Sequence, residues 1–387
     1  MQPMEGPESL VAPRHATWLE LFFDLVFVAS IGVISHGLSH SHDGHVSLKQ
    51  LTDFVLQFFP IWWIWASHTL YLNRLDTYDR VQRILTLSVI FLLINLSAMF
   101  GGNVLVHTSE FILVYTAIRL LIAFMYFWSQ FGGGHLQSYA RQMCVATLLG
   151  ALISCGALAF AGEHRVAVFY LGIVLEMALV AFVSRKIRLT RQDRKHLVER
   201  IGLMTMILLG ESIISLVASL QDRAGETPNL IAMMFGFILI GAIWWIYYGS
   251  FYLLESAREI RRGITLLYTH LIFAMGLVML ANLIGLTMRD EIDSESFRML
   301  TLFGLIFFYI GKQVSYFKAI PPHRINNVVF TLTCVSIGAF STYLPNPTLA
   351  LVGVTFAMLT YVFMHYTWTL PKDVSAYLEV SGKARRC

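Results

Sequence analysis

The chain has 387 residues, of which 56% are hydrophobic and only 13% charged, and its mean hydropathy is +0.64. A soluble domain carries about 25% charged residues, so this composition excludes an ordinary soluble protein and points to a chain built for a bilayer. The formal charge of +4 is uninformative by itself, because the placement of the charges carries the signal.

Apolar runs recur along the whole length, and at about 20 residues per crossing they predict twelve transmembrane helices. Their expected spans are 17–39, 48–72, 80–101, 108–131, 137–161, 164–185, 198–220, 230–254, 262–286, 295–317, 325–344 and 347–370. The first contains Trp18-Leu-Glu20-Leu-Phe-Phe-Asp24-Leu-Val-Phe-Val28, with two carboxylates one helical turn apart on one face. An acid near the centre of a lipid-facing helix costs roughly 2.5–3.5 kcal/mol. Glu20 and Asp24 must therefore face protein, water or headgroups. Glu20, the shallower of the two, is expected to reach the interface, and Asp24 to be buried.

Histidines crowd the end of this segment and the loop after it: His36, His40, His42 and His45, with Asp43 among them. Imidazole suits zinc, copper or nickel, so the cluster is either a metal or pH-sensing site or simply a solvated polar loop. Deeper in the chain, a rise of 1.5 Å per residue sets Arg119, Glu176 and Glu211 near the midplane. His68, His270, Lys312 and His365 fall in the half nearer the cytoplasm. These groups are expected to neutralise one another within a single polar core. Two readings follow, ion pairs that hold helices in register or groups that move protons or ions.

Most of the 28 Lys and Arg lie in both termini, the even-numbered loops and the central loop, which alone holds Arg185, Lys186, Arg188, Arg191, Arg194, Lys195 and Arg200. The positive-inside rule then places both termini in the cytoplasm. A short basic loop between two spans is a topology determinant beside anionic lipid, so no nucleic-acid partner is expected. Cys144, Cys155, Cys334 and Cys387 show no paired spacing and read as packing residues, although Cys387 ends a basic tail suited to acylation. With no nucleophile–base pairing, phosphate loop or metalloprotease motif, neither an enzyme nor a cofactor is expected.

Ile61-Trp62-Trp63-Ile64 recurs as Ile243-Trp244-Trp245-Ile246, and Glu20 and Glu199 open the first and seventh segments. This suggests a parallel duplication of six helices, as in many transporters. The organisation expected is a tail (1–16), a first repeat (17–185), a basic linker (186–197), a second repeat (198–370) and a second tail (371–387).

At Glu20-Leu-Phe-Phe-Asp24 the chain resembles the bacterial low-temperature requirement A (LtrA) family. The likeness continues through Asn73-Arg74-Leu75-Asp76-Thr77-Tyr78-Asp79, Tyr115 with Arg119 and Tyr126, and His196 with Glu199-Arg200-Ile201-Gly202-Leu203. Leu209-Gly210-Glu211, Trp244-Trp245 and His270-Leu271 complete it. It covers most of residues 14–290, and the last three helices carry no matching motif. The chain departs at Ile246-Tyr247-Tyr248-Gly249-Ser250, where an acid is expected. The resemblance implies an integral membrane protein linked to growth in the cold, without implying a substrate.

The duplicated halves and the midplane Glu211, Glu176 and Arg119 predict a proton-coupled secondary transporter of a small solute in the cell membrane. Asp24 and Glu211 would couple, and Arg119 would serve as counter-ion or anion ligand, with His270 and Lys312 as further candidates. A cation channel and a flux-free membrane sensor or stability factor are the alternatives. The oligomeric state is not predicted.

Overall fold

The computed structural model describes residues 15–41, 44–75, 79–100, 109–132, 136–186, 191–221, 229–251, 263–319 and 324–368. His42, Asp43, Asp76, the basic turn near 258–262, residues 1–14 of the first tail and all of the second tail lie outside the described residues. Among those described the chain is all-α. The twelve α-helices among the described residues are α1 (Trp18–Ser39), α2 (Leu48–Leu75), α3 (Arg80–Ser97), α4 (Ser109–Ser129), α5 (Gln137–Gly156), α6 (Gly162–Lys186), α7 (Arg191–Gln221), α8 (Leu230–Tyr248), α9 (Ile264–Met288), α10 (Ser294–Ala319), α11 (Arg324–Ser341) and α12 (Pro347–Trp368). Each corresponds to one predicted segment. The main difference is α7, which is already helical from Arg191, so most of the expected basic linker is the first two turns of a helix.

Side-chain caps account for several helix starts. Thr17 and Glu20 form a reciprocal capping box on α1, with the Thr17 amide donating to Glu20 Oε2 at 2.8 Å and the Glu20 amide to Thr17 Oγ1 at 3.3 Å. The Asp79 carboxylate accepts from the Gln82 amide at the head of α3, and Asp293 accepts from the Ser296 amide at the head of α10. Pro347 opens α12, where its missing N–H leaves nothing unpaired.

Ten of the helices are long and apolar enough to cross a membrane; α2 and α11 are not. Large apolar side chains such as Phe91, Phe237, Leu332 and Phe363 stand exposed around the outside, as lipid requires and water does not. The protein is a multi-pass membrane protein. Helix α2 falls short because it carries Gln57, Ser67, His68 and Asn73, all of which are buried against other helices.

Helices α9 and α2 form the centre. Almost every side chain of α9 is buried, and α10 lies against it backbone to backbone. A Cβ at Gly276 would sit 2.3 Å from the Phe308 amide nitrogen, and one at Gly311 would sit 2.3 Å from that of Phe273. Such close approach is how helices gain contact where lipid removes the hydrophobic drive between them. In α2, Pro60 withholds the amide that would bond the Leu56 carbonyl. Tyr170 on α6 donates its hydroxyl to that carbonyl at 2.6 Å.

Helices α1 and α7 run parallel and in register. Glu20 meets His196, Asp24 meets Arg200, and Gly32 meets Glu211, each pair separated by a similar distance in sequence. Helix α9 joins them near the far end, where Asn282 donates to Ser35 at 2.8 Å and Arg289 to the Ser39 carbonyl at 2.7 Å. Two parallel helices with five between them place the starts of α1 and α7 at one end of the bundle.

Candidate functional site

The expected single polar core does not form. The buried ionisable groups separate into distinct clusters, because bulky aromatic side chains of α2 stand between them.

The first cluster lies between α1, α2 and α7. Two acids one turn apart, Glu20 and Asp24, face two bases one turn apart, His196 and Arg200. Arg200 Nη2 is 2.5 Å from Asp24 Oδ1, and its Nη1 is 3.6 Å from Glu20 Oε1, which His196 Nε2 approaches at 3.3 Å. Trp65 Nε1 donates to the same Asp24 oxygen at 2.7 Å, and Asn73 Oδ1 lies 2.9 Å from His196 Nδ1. All six side chains are buried. The expectation that Glu20 reaches the interface is corrected: its capping bonds turn it inward, and it is 2% exposed. Asp24 Oδ2 has no hydrogen-bond partner among the described residues. A cavity of about 450 Å³ between α1, α2 and α3, lined by Thr17, Trp18, Glu20, Leu72 and Arg83, reaches this cluster from the end of the bundle.

The second cluster lies across α2. Arg119 on α4 forms an ion pair with Glu176 on α6 and donates to Ser67 Oγ at 2.5 Å. A Cβ at Gly150 would collide with Glu176, so α5 leaves room for that acid. The Arg119 guanidinium lies over the Trp63 ring at 5.7 Å, and that of Arg200 lies 6.0 Å from the Trp65 ring. Residues two apart point to opposite sides of a helix, so α2 offers one indole to each ion pair. Trp62 and Trp63 are fully buried.

Glu211 stands apart from both. It is partly exposed, its carboxylate lies against Gly32, where an added Cβ would be 2.7 Å from Oε1, and it has no hydrogen-bond or ion-pair partner among the described residues. Lys312 belongs to a third group: Nζ donates to Tyr361 Oη at 3.2 Å and lies over the Tyr316 ring at 4.2 Å. Gln313 donates to the same Tyr361 oxygen at 2.8 Å. The other candidates sit in local contacts. His270 Nε2 is 3.1 Å from Tyr247 Oη, its Nδ1 is 2.7 Å from the Leu266 carbonyl, and His68 Nε2 is 3.3 Å from Thr86 Oγ1. His365 lies beside Tyr361.

The histidine loop at the other end also divides. His36 and His40 Nε2 atoms are 3.1 Å apart, while His45 turns away to Asp293 at 3.1 Å. Among the described residues, no group of three or more metal-ligating side chains converges.

Sequence reading missed Trp65, Ser67 and His196 as partners of these ions. A signal for His196 existed: it precedes Arg200 by four residues, the spacing that separates Glu20 from Asp24. Nothing comparable marked Trp65 or Ser67.

Three of the resembling motifs therefore converge in space, with Glu20, Asp24, Asn73, His196 and Arg200 within one cluster. The family model for the bacterial low temperature requirement A protein (LtrA) matches residues 15–364. The chain belongs to the LtrA family. An uncharacterized protein of Rhizobium meliloti is 27% identical over 273 residues, and the match spans 64% of each chain. Among the other LtrA motif residues, Arg74 lies over the Tyr139 ring at 4.8 Å. Glu199 pairs with His15 at 3.2 Å near the surface. Trp244 and Trp245 are about half exposed, at 44% and 47%, against Tyr248 and Tyr366.

Proposed function

We propose that this LtrA protein is a proton-coupled secondary transporter of a small solute in the cell membrane. Glu211 would be its proton-carrying group. The observation that supports this is the isolation of Glu211: Glu20, Asp24 and Glu176 each sit beside a base, whereas Glu211 lies against Gly32 and has no ion-pair partner among the described residues. An acid deep in a membrane helix without a counter-ion is stable there as the neutral acid and must draw in water or a cation when it ionises. Its charge state then governs how closely α1 and α7 approach. Asp24, with one oxygen tied to Arg200 and Trp65 and the other open, would be the second coupling carboxylate, and the cavity at Glu20 its route to water. Arg119 is the counter-ion of Glu176 in this reading.

The parallel register of α1 and α7 supports two six-helix halves of the same orientation, with the starts of both helices cytoplasmic under the positive-inside rule. In this reading the halves have diverged, α2 having moved to the centre and α8 to the rim.

The test uses purified protein in liposomes containing a pH-sensitive dye, with cations, amino acids and organic acids added outside in turn. A saturable, solute-driven pH change is expected, lost in Glu211→Gln and partly retained in Glu211→Asp. Solute flux whose pH dependence survived Glu211→Gln would sink the assignment, and non-saturating currents in planar bilayers would mark a channel instead.

A further inference from the structure

We propose that His36 and His40 form a two-imidazole site for a borderline divalent metal ion, Cu2+ ahead of Ni2+ and Zn2+. The site lies at the end of the bundle opposite the Glu20–Arg200 cluster. His36 is in the last turn of α1 and His40 is its C-cap, one turn on, so both rings lie on one face. Their Nε2 atoms converge to 3.1 Å, and both side chains are exposed. Two nitrogens at that separation, each about 2.0–2.1 Å from a common ion, subtend roughly 98° at the metal. That is close to the right angle between neighbouring ligands in tetragonal copper and nickel sites. A tetrahedral zinc site would require the rings to open by about 0.25 Å.

The backbone beneath the pair is already pinned. Gln50 donates to the His40 carbonyl at 2.8 Å, Arg289 to the Ser39 carbonyl at 2.7 Å, and Ser39 Oγ to the His36 carbonyl at 2.9 Å. Little backbone freedom is lost when an ion binds. The position also favours a cation, because the C-terminal end of α1 carries the negative end of the helix dipole. His45 takes no part: Asp293 and Ser296 hold its ring in the α9–α10 connection. Among the described residues the site thus supplies two protein ligands, His36 and His40. It stands independently of the transport reading.

The test is a CuCl2 titration of the full chain, freed of any affinity tag and washed with chelator, followed by electron paramagnetic resonance and equilibrium dialysis. One saturable Cu2+ per chain is expected, with hyperfine structure from two nitrogens. Removing a whole ligand should exceed the 10–100-fold penalty typical of second-sphere changes, so His36→Ala and His40→Ala should each weaken binding by at least about tenfold. His45→Ala should bind as wild type, and metal-free melting curves should show all three variants folded. Absence of saturable binding, or an affinity unchanged in the His36→Ala/His40→Ala double variant, would overturn the proposal. The pair would then be a hydrogen bond between rings and nothing more.

Discussion

Tyr170→Phe removes one hydroxyl and leaves a ring that can keep its contact with Phe59, so its effect reports on a single hydrogen bond. That bond serves the Leu56 carbonyl of α2, whose ordinary helical donor is missing because residue 60 is proline. Interhelical hydrogen bonds in membrane proteins average about 0.6 kcal/mol and reach about 1.7. Here the alternative is a carbonyl deprived of its helical donor in apolar surroundings, so the expected loss is near the top of that range, about 1.5 kcal/mol. In a Pro60→Ala background residue 60 regains an amide, the helical bond to Leu56 closes, and Tyr170→Phe should cost under about 0.5 kcal/mol. The coupling between the two positions is therefore about 1 kcal/mol. Reversible unfolding of the four proteins in mixed detergent micelles, followed by circular dichroism, measures it. Equal losses from Tyr170→Phe in both backgrounds would refute the account of how α2, with Trp63 and Trp65 facing the two ion pairs, is held in place.

Two further outcomes follow from charge placement. Arg200→Met leaves Glu20 and Asp24 buried without their cation and should destabilise the protein by about 3–5 kcal/mol in the same unfolding assay. The Glu20→Gln/Asp24→Asn/Arg200→Met triple variant should recover most of that loss, and a triple variant no more stable than the single one would count against the pairing. At the opposite end, partial burial works against ionisation of Asp293, but the Ser296 amide and hydroxyl and the His45 ring outweigh it and hold the carboxyl below its ordinary range. Because the folded-state value is the lower one, wild type should exceed Asp293→Asn in stability above about pH 4. The difference should fade as pH falls through the folded-state value. Melting temperatures between pH 7 and pH 3 test this, and a gap that widened on acidification would contradict it.

Composition and hydropathy determined the class of the molecule and, through the length and apolarity that bilayer thickness dictates, ten of the twelve described α-helices; α2 and α11 fall short of that standard and matched their expected segments only in position. The four-residue spacing of Glu20 and Asp24, repeated in His196 and Arg200, also lay open in the sequence, since helical periodicity is local. The partners of each ion did not. Depth along a helix axis placed Arg119, Glu176 and Glu211 near the midplane and Lys312 nearer the cytoplasm and suggested one shared core, but depth carries no information about position around the bundle. That position is decided by packing. Trp63 and Trp65 on opposite sides of α2 separate Arg119 from Arg200, Gly150 makes room for Glu176, and Glu211 lies against Gly32 with no counter-ion among the described residues. The same limit applied to the histidine loop, where four imidazoles close in sequence suggested one cluster. The meeting of the α1–α2 and α9–α10 connections drew His45 to Asp293 and left His36 with His40. Contacts between residues far apart in the chain arise from helix packing, and only the tertiary structure expressed them.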